Sequence, residues 1–482
     1  MRFYNLILFA SVLLGERAHS DLVAGITNND ISSLLSSQSW SPGTVLSTPG
    51  SANFTNATYR WNNRQAPTYV AALSIGSEDD VITAVTHNIS FLATGGRHGF
   101  GATLGRLEDG LALDLSPLNS VKVDSSQGTV TVGPGVRLRD VFDPVYDAGF
   151  QMQTGICTCV GMIGATIGAG IGRLQGTHGL MIDALLSVKL VTATGELLEV
   201  SKDSNPDLSW GIRGAAPNFG VITDATYQLH PLSYDFVSVD MRFPAALNGS
   251  FFSALASFNL GSEWAIAARI VYDSDGGEAS IVTSCVYHGP QPQSQVLDQL
   301  SPFLDLNPPV KNISVVPWNR INFVAAFSSD AGVCAPGKDS STYAASLQTR
   351  TAAAWTEVFS LMSGLYASIP AACTSGVLFE AWANEAVRAV RDDETAYPWR
   401  ETETYVTSAR AQSNEVGRRI RETLFTSSGY PGGAVYVNYA LGDESLQQIY
   451  GAEKLPRLSN LKRKYDPDNV FGFHHPIPTV YP

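Results

Sequence analysis

A glycine-rich loop carries the first side chain that could act on a ligand, a histidine. The loop follows a predicted strand at residues 91–93, and exposed backbone amides at the end of a strand can face a ligand. From this loop alone two interpretations stay open: His98 acts on a ligand, or it is a hydrogen-bonded loop residue. The loop consists of Thr94, Gly95, Gly96, Arg97, His98 and Gly99.

A second glycine-rich segment lies between residues 161 and 172. Its last part has the spacing G-x-G-x-G, whereas the dinucleotide fingerprint is G-x-G-x-x-G with an acidic residue about 20 positions later. Asp183 comes too early for that role, which argues against a nicotinamide cofactor. Closely spaced glycines let the backbone approach a large planar or phosphorylated ligand, although they also allow strands to pack tightly. The glycines are Gly161, Gly164, Gly168, Gly170 and Gly172.

The chain has five cysteines: Cys157, Cys159, Cys285, Cys334 and Cys373. In a secreted protein an odd number leaves one thiol free or gives it another task. The first two cysteines have no second pair that would complete a zinc site, so we predict no metal site. The sequence contains neither H-E-x-x-H nor G-x-S-x-G, which excludes the commonest zinc-protease and α/β-hydrolase sites.

Length and charge restrict the class of protein. A chain of 482 residues is long enough for about three ordinary domains or two large ones. The formal net charge of −13 argues against a nucleic-acid partner, because a polyanion would be repelled over most of the surface. No segment is long enough to predict a membrane anchor.

The N-terminus predicts export. Arg2 precedes an apolar run, and small residues at 18 and 20 match a cleavage site, so residues 1–20 are predicted to be a secretory signal peptide. The mature protein is then expected in the secretory pathway or outside the cell. N-glycans are expected at some of the five N-x-S/T sites, which are Asn53, Asn56, Asn88, Asn248 and Asn312.

The pattern of the remaining chain predicts the elements that position these residues. A strand over 68–75, a helix that begins after Ser77 and the strand at 91–93 form a β-α-β unit that leads into the His98 loop. Apolar positions between Leu138 and Tyr146 predict an amphipathic helix. From about residue 234 strands dominate, and the last 45 residues return to a helix, so we divide the mature chain into residues 21–233, 234–435 and 436–482.

Six motifs in order resemble the FAD-binding oxidoreductases of the vanillyl-alcohol-oxidase superfamily, in particular its berberine-bridge-enzyme-like branch. The resemblance implies an α+β fold in which a two-subdomain p-cresol-methylhydroxylase-type FAD domain (21–233) precedes an antiparallel-sheet substrate domain (234–435). Residues 436–482 would complete the FAD domain. The motifs lie at residues 94–98, 155–161, 207–221, 396–400, 436–439 and 464–471.

The resemblance implies that FAD is bonded covalently to the chain. His98 stands where the family's histidine bonds the flavin 8α-methyl group, and Cys157 stands where its cysteine bonds flavin C6. A free buried thiol is the alternative for Cys157. If it is bonded, four cysteines remain that can pair in three ways. Further cofactor contacts are implied for Val160, Gly161, Met162, Gly164, Gly168, Gly170, Gly220, Val221 and Asn438.

Two residues depart from the family pattern. Arg97 replaces a glycine before the histidine, and we expect its guanidinium either to pair with a phosphate or to point to solvent. Met162 occupies the position of a Val or Leu thought to control oxygen access to the flavin. Because methionine is long but flexible, we expect it to allow moderate oxidase activity.

The resemblance also suggests the catalytic residues. Residues 436–439 are predicted to form a strand, with Tyr436 and Asn438 on one face and Tyr439 on the other. A phenol is a poor base at its usual pKa near 10, so either a nearby arginine, for which Arg400 is the candidate, or the flavin itself is expected to depress the pKa of a tyrosine. The expected reaction is oxidation of an alcohol, amine or activated C–H of a small organic, secondary-metabolite-type substrate, with O2 as acceptor. Carbohydrate oxidation and a redox-silent cyclase or binding protein remain alternatives.

Overall fold

The computed structural model describes residues 28–410 and 413–481. The predicted signal peptide, residues 1–20, lies outside this range. In the described part of the chain, no helix combines the length and apolar character needed to cross a membrane. The described residues form an α+β fold, as predicted, with three larger sheets of four, five and seven strands.

The four-stranded sheet carries the His98 loop. Its strands, in spatial order, are β1 (Val45–Ser47), β2 (Tyr69–Ser74), β4 (Gly110–Asp114) and β3 (Phe91–Thr94). Strands β2 and β3 both run parallel to β4, and the helix Glu78–Val85 connects them. The Ser77 hydroxyl accepts a hydrogen bond from the Asp80 amide and so caps this helix. The predicted β-α-β unit is therefore confirmed.

The five-stranded sheet is antiparallel throughout. Its strands, in spatial order, are β5 (Val121–Asp124), β6 (Thr129–Val132), β10 (Val221–Gln228), β8 (Leu185–Val191) and β9 (Leu197–Ser201). The predicted amphipathic helix spans Leu138–Asp147, and its apolar face is buried in the core beside this sheet. A short pair, β7 (Phe150–Gln151) and β11 (His230–Pro231), lies apart from it.

The seven-stranded sheet is also antiparallel and lies within the predicted substrate domain. Its strands, in spatial order, are β15 (Val310–Val316), β12 (Phe236–Pro244), β14 (Glu278–His288), β13 (Trp264–Asp273), β17 (Gly376–Trp382), β18 (Thr404–Arg410) and β16 (Ser341–Leu347). One face packs through Phe379 on Phe252 and Trp355, which lie on two covering helices. Because side chains alternate along a strand, Glu380 points to the opposite face.

Helices connect these sheets and cover them. The α-helices of the described chain are Asn28–Ser36, Ala52–Thr58, Glu78–Val85, Leu138–Asp147, Met162–Thr166, Gln175–His178, Met181–Ala184, Pro206–Ala215, Asn248–Ser257, Gln293–Gln299, Ser301–Leu304, Ile321–Ser328, Asp330–Cys334, Ala352–Ser368, Glu385–Ala389, Asn414–Thr426, Leu446–Tyr450 and Leu455–Tyr465. The short 3-10 helices are Ala102–Arg106, Ala216–Asn218, Ala245–Leu247, Pro370–Thr374, Asp392–Glu394 and Val437–Tyr439.

Candidate active site

A cavity of about 360 Å³ lies between the glycine-rich loops and Glu380 on β17. It brings together most of the predicted site residues, although they are distant in sequence. Three of them, Met162, Gly168 and Arg400, lie outside its lining. The predicted residues that do line the cavity are Thr94, Gly95, Gly96, Arg97, His98, Gly99, Cys157, Val160, Gly161, Gly164, Gly170, Gly220, Val221, Tyr436, Asn438 and Tyr439.

The two glycine-rich loops touch each other. A Cβ atom on Gly96 would lie 2.3 Å from the amide nitrogen of Gly161, and one on Gly161 would lie 2.8 Å from the amide nitrogen of Gly96. Neither position can therefore accept a side chain without moving the other loop. Gly168 has a related role outside the lining, since its Cβ would lie 2.3 Å from Asn438 Oδ1.

Arg97 is held in a buried ion pair. Its Nη2 donates hydrogen bonds to Asp114 Oδ1 and, at 2.9 Å, to Ser116 Oγ, and both charged side chains are buried. The residue has a left-handed backbone, with φ of +57°, which costs energy in a non-glycine residue. The expectation of a solvent-exposed side chain is therefore wrong, and the ion pair fixes the loop before His98. A phosphate contact through Arg97 stays a prediction.

His98 is half-buried and neutral. Its ring stacks on Trp61, with 4.3 Å between the ring centroids, and burial lowers the pKa of His98 to about 4. A neutral imidazole keeps a lone pair on one ring nitrogen, which is what a bond to a carbon atom requires. The Nε2 atom is buried without a hydrogen-bond partner in the described residues.

Cys157 is a free thiol on the cavity wall. Burial raises the pKa of this thiol to about 11, so it is protonated at neutral pH. Cys159, two residues later, forms a disulfide with Cys334. Cys285 and Cys373 are free thiols, so the four cysteines other than Cys157 do not form two disulfides.

Residues 436–440 form a turn over the cavity. The predicted strand is wrong here, because Val437–Tyr439 is a 3-10 helix, and this turn lets Tyr436, Asn438 and Tyr439 all reach the cavity. The Tyr436 hydroxyl accepts hydrogen bonds from the Gly170 amide at 3.2 Å and from Asn438 Nδ2 at 2.9 Å. Burial raises the pKa of Tyr436 to about 12. These bonds tie the turn to the second glycine-rich segment.

Tyr439 is paired with an acidic residue that the sequence analysis missed. Its hydroxyl donates a hydrogen bond to Glu380 Oε2 at 2.7 Å. Burial raises the pKa of Glu380 to about 7, although the bond from Tyr439 and the charges of Arg269 and Arg173 lower it. Burial and the neighbouring carboxylate raise the pKa of Tyr439 well above its ordinary value. Glu380 and Tyr439 are therefore a coupled proton donor and acceptor pair on the cavity wall.

The structure corrects the roles expected for Arg400 and Met162. Arg400 is buried in an ion pair with Asp183, at 2.8 Å, and also donates to Thr395 Oγ1 and the Val387 carbonyl oxygen. It does not depress the pKa of either cavity tyrosine, since both values are raised. Met162 is fully buried in the core, while the next residue, Ile163, lines the cavity.

Several lining residues carry buried nitrogens without a hydrogen-bond partner in the described chain. A buried polar atom of this kind calls for an absent ligand or water. These unpartnered nitrogens and the glycine-lined walls fit a large, planar ligand rich in hydrogen-bond acceptors, as FAD is. Sequence analysis did not assign Arg60, His474 or His475 to the site, although the last two closely follow the motif at 464–471. The atoms are Arg60 Nε, Arg97 Nε, His98 Nε2, His474 Nδ1 and His475 Nε2.

Two family models match the regions that build this cavity. Residues 71–201 match an FAD-binding domain, and residues 435–478 match the segment described as berberine and berberine like. The first contains the His98 loop and Cys157, and the second contains the turn at 436–440 together with His474 and His475. The p-cresol-methylhydroxylase-type FAD domain expected from the motifs is thus confirmed.

The chain is similar over most of its length to fungal proteins. It is 44% identical to the FAD-linked oxidoreductase srdI of Neurospora crassa, over 91% of this chain and 90% of that protein. It is 43% identical to the FAD-linked oxidoreductase OXR1 of Pyricularia oryzae, over 100% of both. A structure of the glucooligosaccharide oxidase of Acremonium strictum, described with 6-S-cysteinyl, 8α-N1-histidyl FAD, superposes with a TM-score of 0.79, 20% identity and coverage of 94% of this chain and 100% of that chain. The chain belongs to the berberine-bridge-enzyme-like family of FAD-linked oxidoreductases.

Proposed function

We propose that this enzyme is an oxidase that removes a hydride and a proton from a small organic substrate, with an alcohol, amine or activated C–H as the reacting group. The observation that carries this proposal is the hydrogen bond between Tyr439 and Glu380 on the wall of the cavity. FAD, when bound, supplies a two-electron acceptor for the hydride. The chain itself must then position the substrate and accept one proton.

Tyr439 and Glu380 form the path for that proton. Tyr439 takes the proton of the substrate hydroxyl at its Oη while its own phenolic proton moves to Glu380 Oε2, so no phenolate has to persist in a buried site. Because the pKa of Tyr439 alone is far above neutral, the tyrosine needs this partner. Glu380, with its pKa raised to about 7, is a matched acceptor near neutral pH.

His98 and Cys157 are the proposed covalent attachment residues for FAD. In support, both line the cavity, His98 is neutral with an unpartnered Nε2, and Cys157 is a free thiol. Further contacts would come from the loop 94–99, the second glycine-rich segment and residues 436–440. Two bonds would fix the flavin without enclosing it, which leaves room for a bulky substrate.

The cavity favours a substrate with an apolar or aromatic body. Many of the lining side chains are aliphatic, and Phe100 stacks near Tyr439 with 6.5 Å between the ring centroids. Carbohydrate oxidation remains the second candidate, and it is supported by the shared fold with an oligosaccharide oxidase. The aliphatic lining residues are Leu138, Ile156, Val160, Ile163, Ile167 and Ile171.

The test is anaerobic mixing of the purified holoenzyme with benzylic alcohols, aliphatic amines and oligosaccharides, while flavin absorbance is followed. Bleaching by a benzylic alcohol or an amine supports the proposal, and bleaching by oligosaccharides alone moves the function to carbohydrate oxidation. If reduced enzyme is slow to reoxidise in air, it is a dehydrogenase. Product formation without any bleaching would make the protein a redox-silent cyclase.

Export is a separate proposal. The signal sequence predicted at residues 1–20 lies outside the described residues, but several predicted glycosylation sites are accessible. Asn53, Asn56, Asn88 and Asn312 are exposed, whereas Asn248 is half-buried. Expression of the full chain in a fungal host, followed by glycosidase treatment of culture medium and cell extract, tests both export and glycan attachment.

A further inference from the structure

We propose that one segment of the substrate domain positions both attachment residues of the flavin. We call this segment, residues 330–340, the tether. It begins after the helix Ile321–Ser328 and leads into β16 at the edge of the seven-stranded sheet. The inference rests on the proposed covalent attachment of FAD and concerns how the chain achieves it.

The tether holds the Cys157 loop through two hydrogen bonds and a disulfide. Asp330 Oδ1 accepts a hydrogen bond from the Thr158 amide at 2.9 Å, and Oδ2 accepts one from the Thr158 hydroxyl at 2.6 Å. Cys334, four residues later, is bonded to Cys159. The two residues that follow Cys157 are therefore both fixed to the tether.

The same segment holds the ring that stacks on His98. Trp61 Nε1 donates a hydrogen bond to the Val333 carbonyl oxygen at 2.7 Å. The backbone on either side of Trp61 is also paired with the tether, since the Asn63 amide donates to the Lys338 carbonyl and the Lys338 amide donates to the Trp61 carbonyl, each at 2.7 Å. A shift of the tether must therefore move Trp61, and with it the ring face against His98.

The segment just before the tether is itself fixed. The buried carboxylate of Asp240, on β12, accepts hydrogen bonds from the amides of Ala326 at 3.0 Å and Phe327 at 2.7 Å. Both residues have left-handed backbones, with φ of +57° and +55°, a conformation that is costly in residues other than glycine. The carboxylate offsets this cost, so the tether leaves the substrate sheet in one defined direction.

Position matters for attachment because the thiol is not activated. Attachment at Cys157 would replace the S–H bond and the flavin C6–H bond by one S–C6 bond. Both hydrogens leave as protons, and the two electrons that are released pass to O2, which becomes H2O2. Since burial keeps the thiol protonated, the rate depends on how well Sγ is held. A misplacement of about 1 Å can cost about 10²-fold in rate.

The positioning of Cys157 by the tether is tested with Asp330→Asn and Thr158→Val, each in a His98→Ala chain where only the thioether can form. Acid-stable flavin and flavin-linked peptide mass are measured, together with total bound flavin. We expect acid-stable flavin to fall about tenfold or more in both variants while non-covalent FAD remains bound. Asp393→Asn, at an exposed ion pair, is the matched control.

Asp330→Asn separates positioning from electrostatics. The negative charge of Asp330 contributes to the raised pKa of Cys157, so its removal should favour the reactive thiolate. A purely electrostatic role therefore predicts faster attachment, and equal or increased acid-stable flavin would overturn the proposal. Thr158→Val removes one of the same hydrogen bonds without changing charge.

The positioning of His98 through Trp61 is tested with Trp61→Phe in a Cys157→Ala chain, where only the bond to His98 can form. This change keeps an aromatic face but removes the hydrogen bond to Val333, and we expect a clear loss of acid-stable flavin. Trp40→Phe, which removes a similar bond to the Leu35 carbonyl at a residue outside the cavity lining, should have no effect. If the His98→Ala protein without further changes holds no acid-stable flavin, the proposed thioether is wrong. The Trp61→Phe experiment alone then tests whether the tether positions an attachment residue.

Discussion

The Tyr439 hydroxyl and Glu380 Oε2 lie 2.7 Å apart on the wall of one cavity. Burial raises the pKa of Tyr439 well above its ordinary value, so the phenol alone is a poor base, whereas burial raises the pKa of Glu380 to about 7. Together they can pass a proton from a substrate to a carboxylate without a free phenolate. This pair, rather than Tyr436 and Arg400, is the proton acceptor in the function that we propose.

The rate of flavin reduction should rise with pH through about 7. Glu380 must be ionised to accept the proton, and its pKa is raised to about 7, so protonation below that value removes the acceptor. Glu380→Gln should lower the rate by about 10²–10⁴-fold and flatten the profile. Anaerobic stopped-flow measurements across the pH range check this. Tyr436→Phe tests the other cavity tyrosine, and an equal loss there would place the base at Tyr436.

Acid precipitation should leave the wild-type protein yellow. Single changes, His98→Ala or Cys157→Ala, should each retain flavin through the remaining bond, whereas the double change should release it. Cys373→Ser, at an exposed free thiol, should behave like the wild type. Complete release of flavin from the wild type would show that neither bond forms.

Changes at Met162 should leave reoxidation by O2 nearly unchanged. The side chain is fully buried in the core and does not line the cavity, so Met162→Leu and Met162→Val alter packing rather than access. Met162→Leu is close in volume and should cost less than about 1.5 kcal/mol of stability. Stopped-flow measurement of the reoxidation rate of pre-reduced enzyme tests the prediction. Ile163→Val, a change in the cavity lining, serves as the comparison. A slower Met162→Leu enzyme would restore the oxygen-gate hypothesis.

Asp466→Asn should destabilise the fold strongly. Asp466 and Lys462 form an ion pair at 2.5 Å in which both side chains are fully buried. Asp466 also accepts hydrogen bonds from the amides of Val470 and Phe471. Removing its charge leaves Lys462 unpaired, which should lower the free energy of unfolding by about 3–5 kcal/mol. Chemical denaturation tests this; a loss no larger than that of Asp393→Asn would contradict it.

Stability should fall as the pH drops below about 6.5. The rings of His178 and His230 stack with 3.9 Å between centroids, and burial lowers the pKa of His178 to about 3 and that of His288 to about 4. These groups stay neutral in the folded state but take up protons near 6.5 when unfolded. The unfolded state therefore binds more protons in this range, and acid favours it. His230→Gln should make the dependence of Tm on pH less steep.

Local sequence patterns predicted the elements around His98 well. Alternating and helical periodicities placed the β-α-β unit and the helix Leu138–Asp147, because both depend on residues close in sequence. Glu380 was missed because an acidic residue within a strand has no local signal of which face it occupies. Its role depends on Tyr439, which lies far away in the chain and meets it only in the folded protein.

Two other errors had physical causes. Residues 436–439 have the composition of a strand, but they form a 3-10 turn. The Tyr436 hydroxyl in this turn accepts a hydrogen bond from the Gly170 amide, a contact that strand propensity does not predict. Arg400 lies in a family motif, but its partner Asp183 comes from another part of the chain. In both cases a tertiary contact decided the outcome.

The cavity is closed by residues that follow all three larger sheets in the chain. Its wall runs from Arg60 to His475, and the turn at 436–440 as well as His474 and His475 lie C-terminal to the last strand, β18. The flavin site is therefore complete only after these residues have folded back onto the two glycine-rich loops. A nonsense mutation between residues 158 and 435 would leave a polypeptide with both proposed attachment residues but without a complete pocket to present FAD to them.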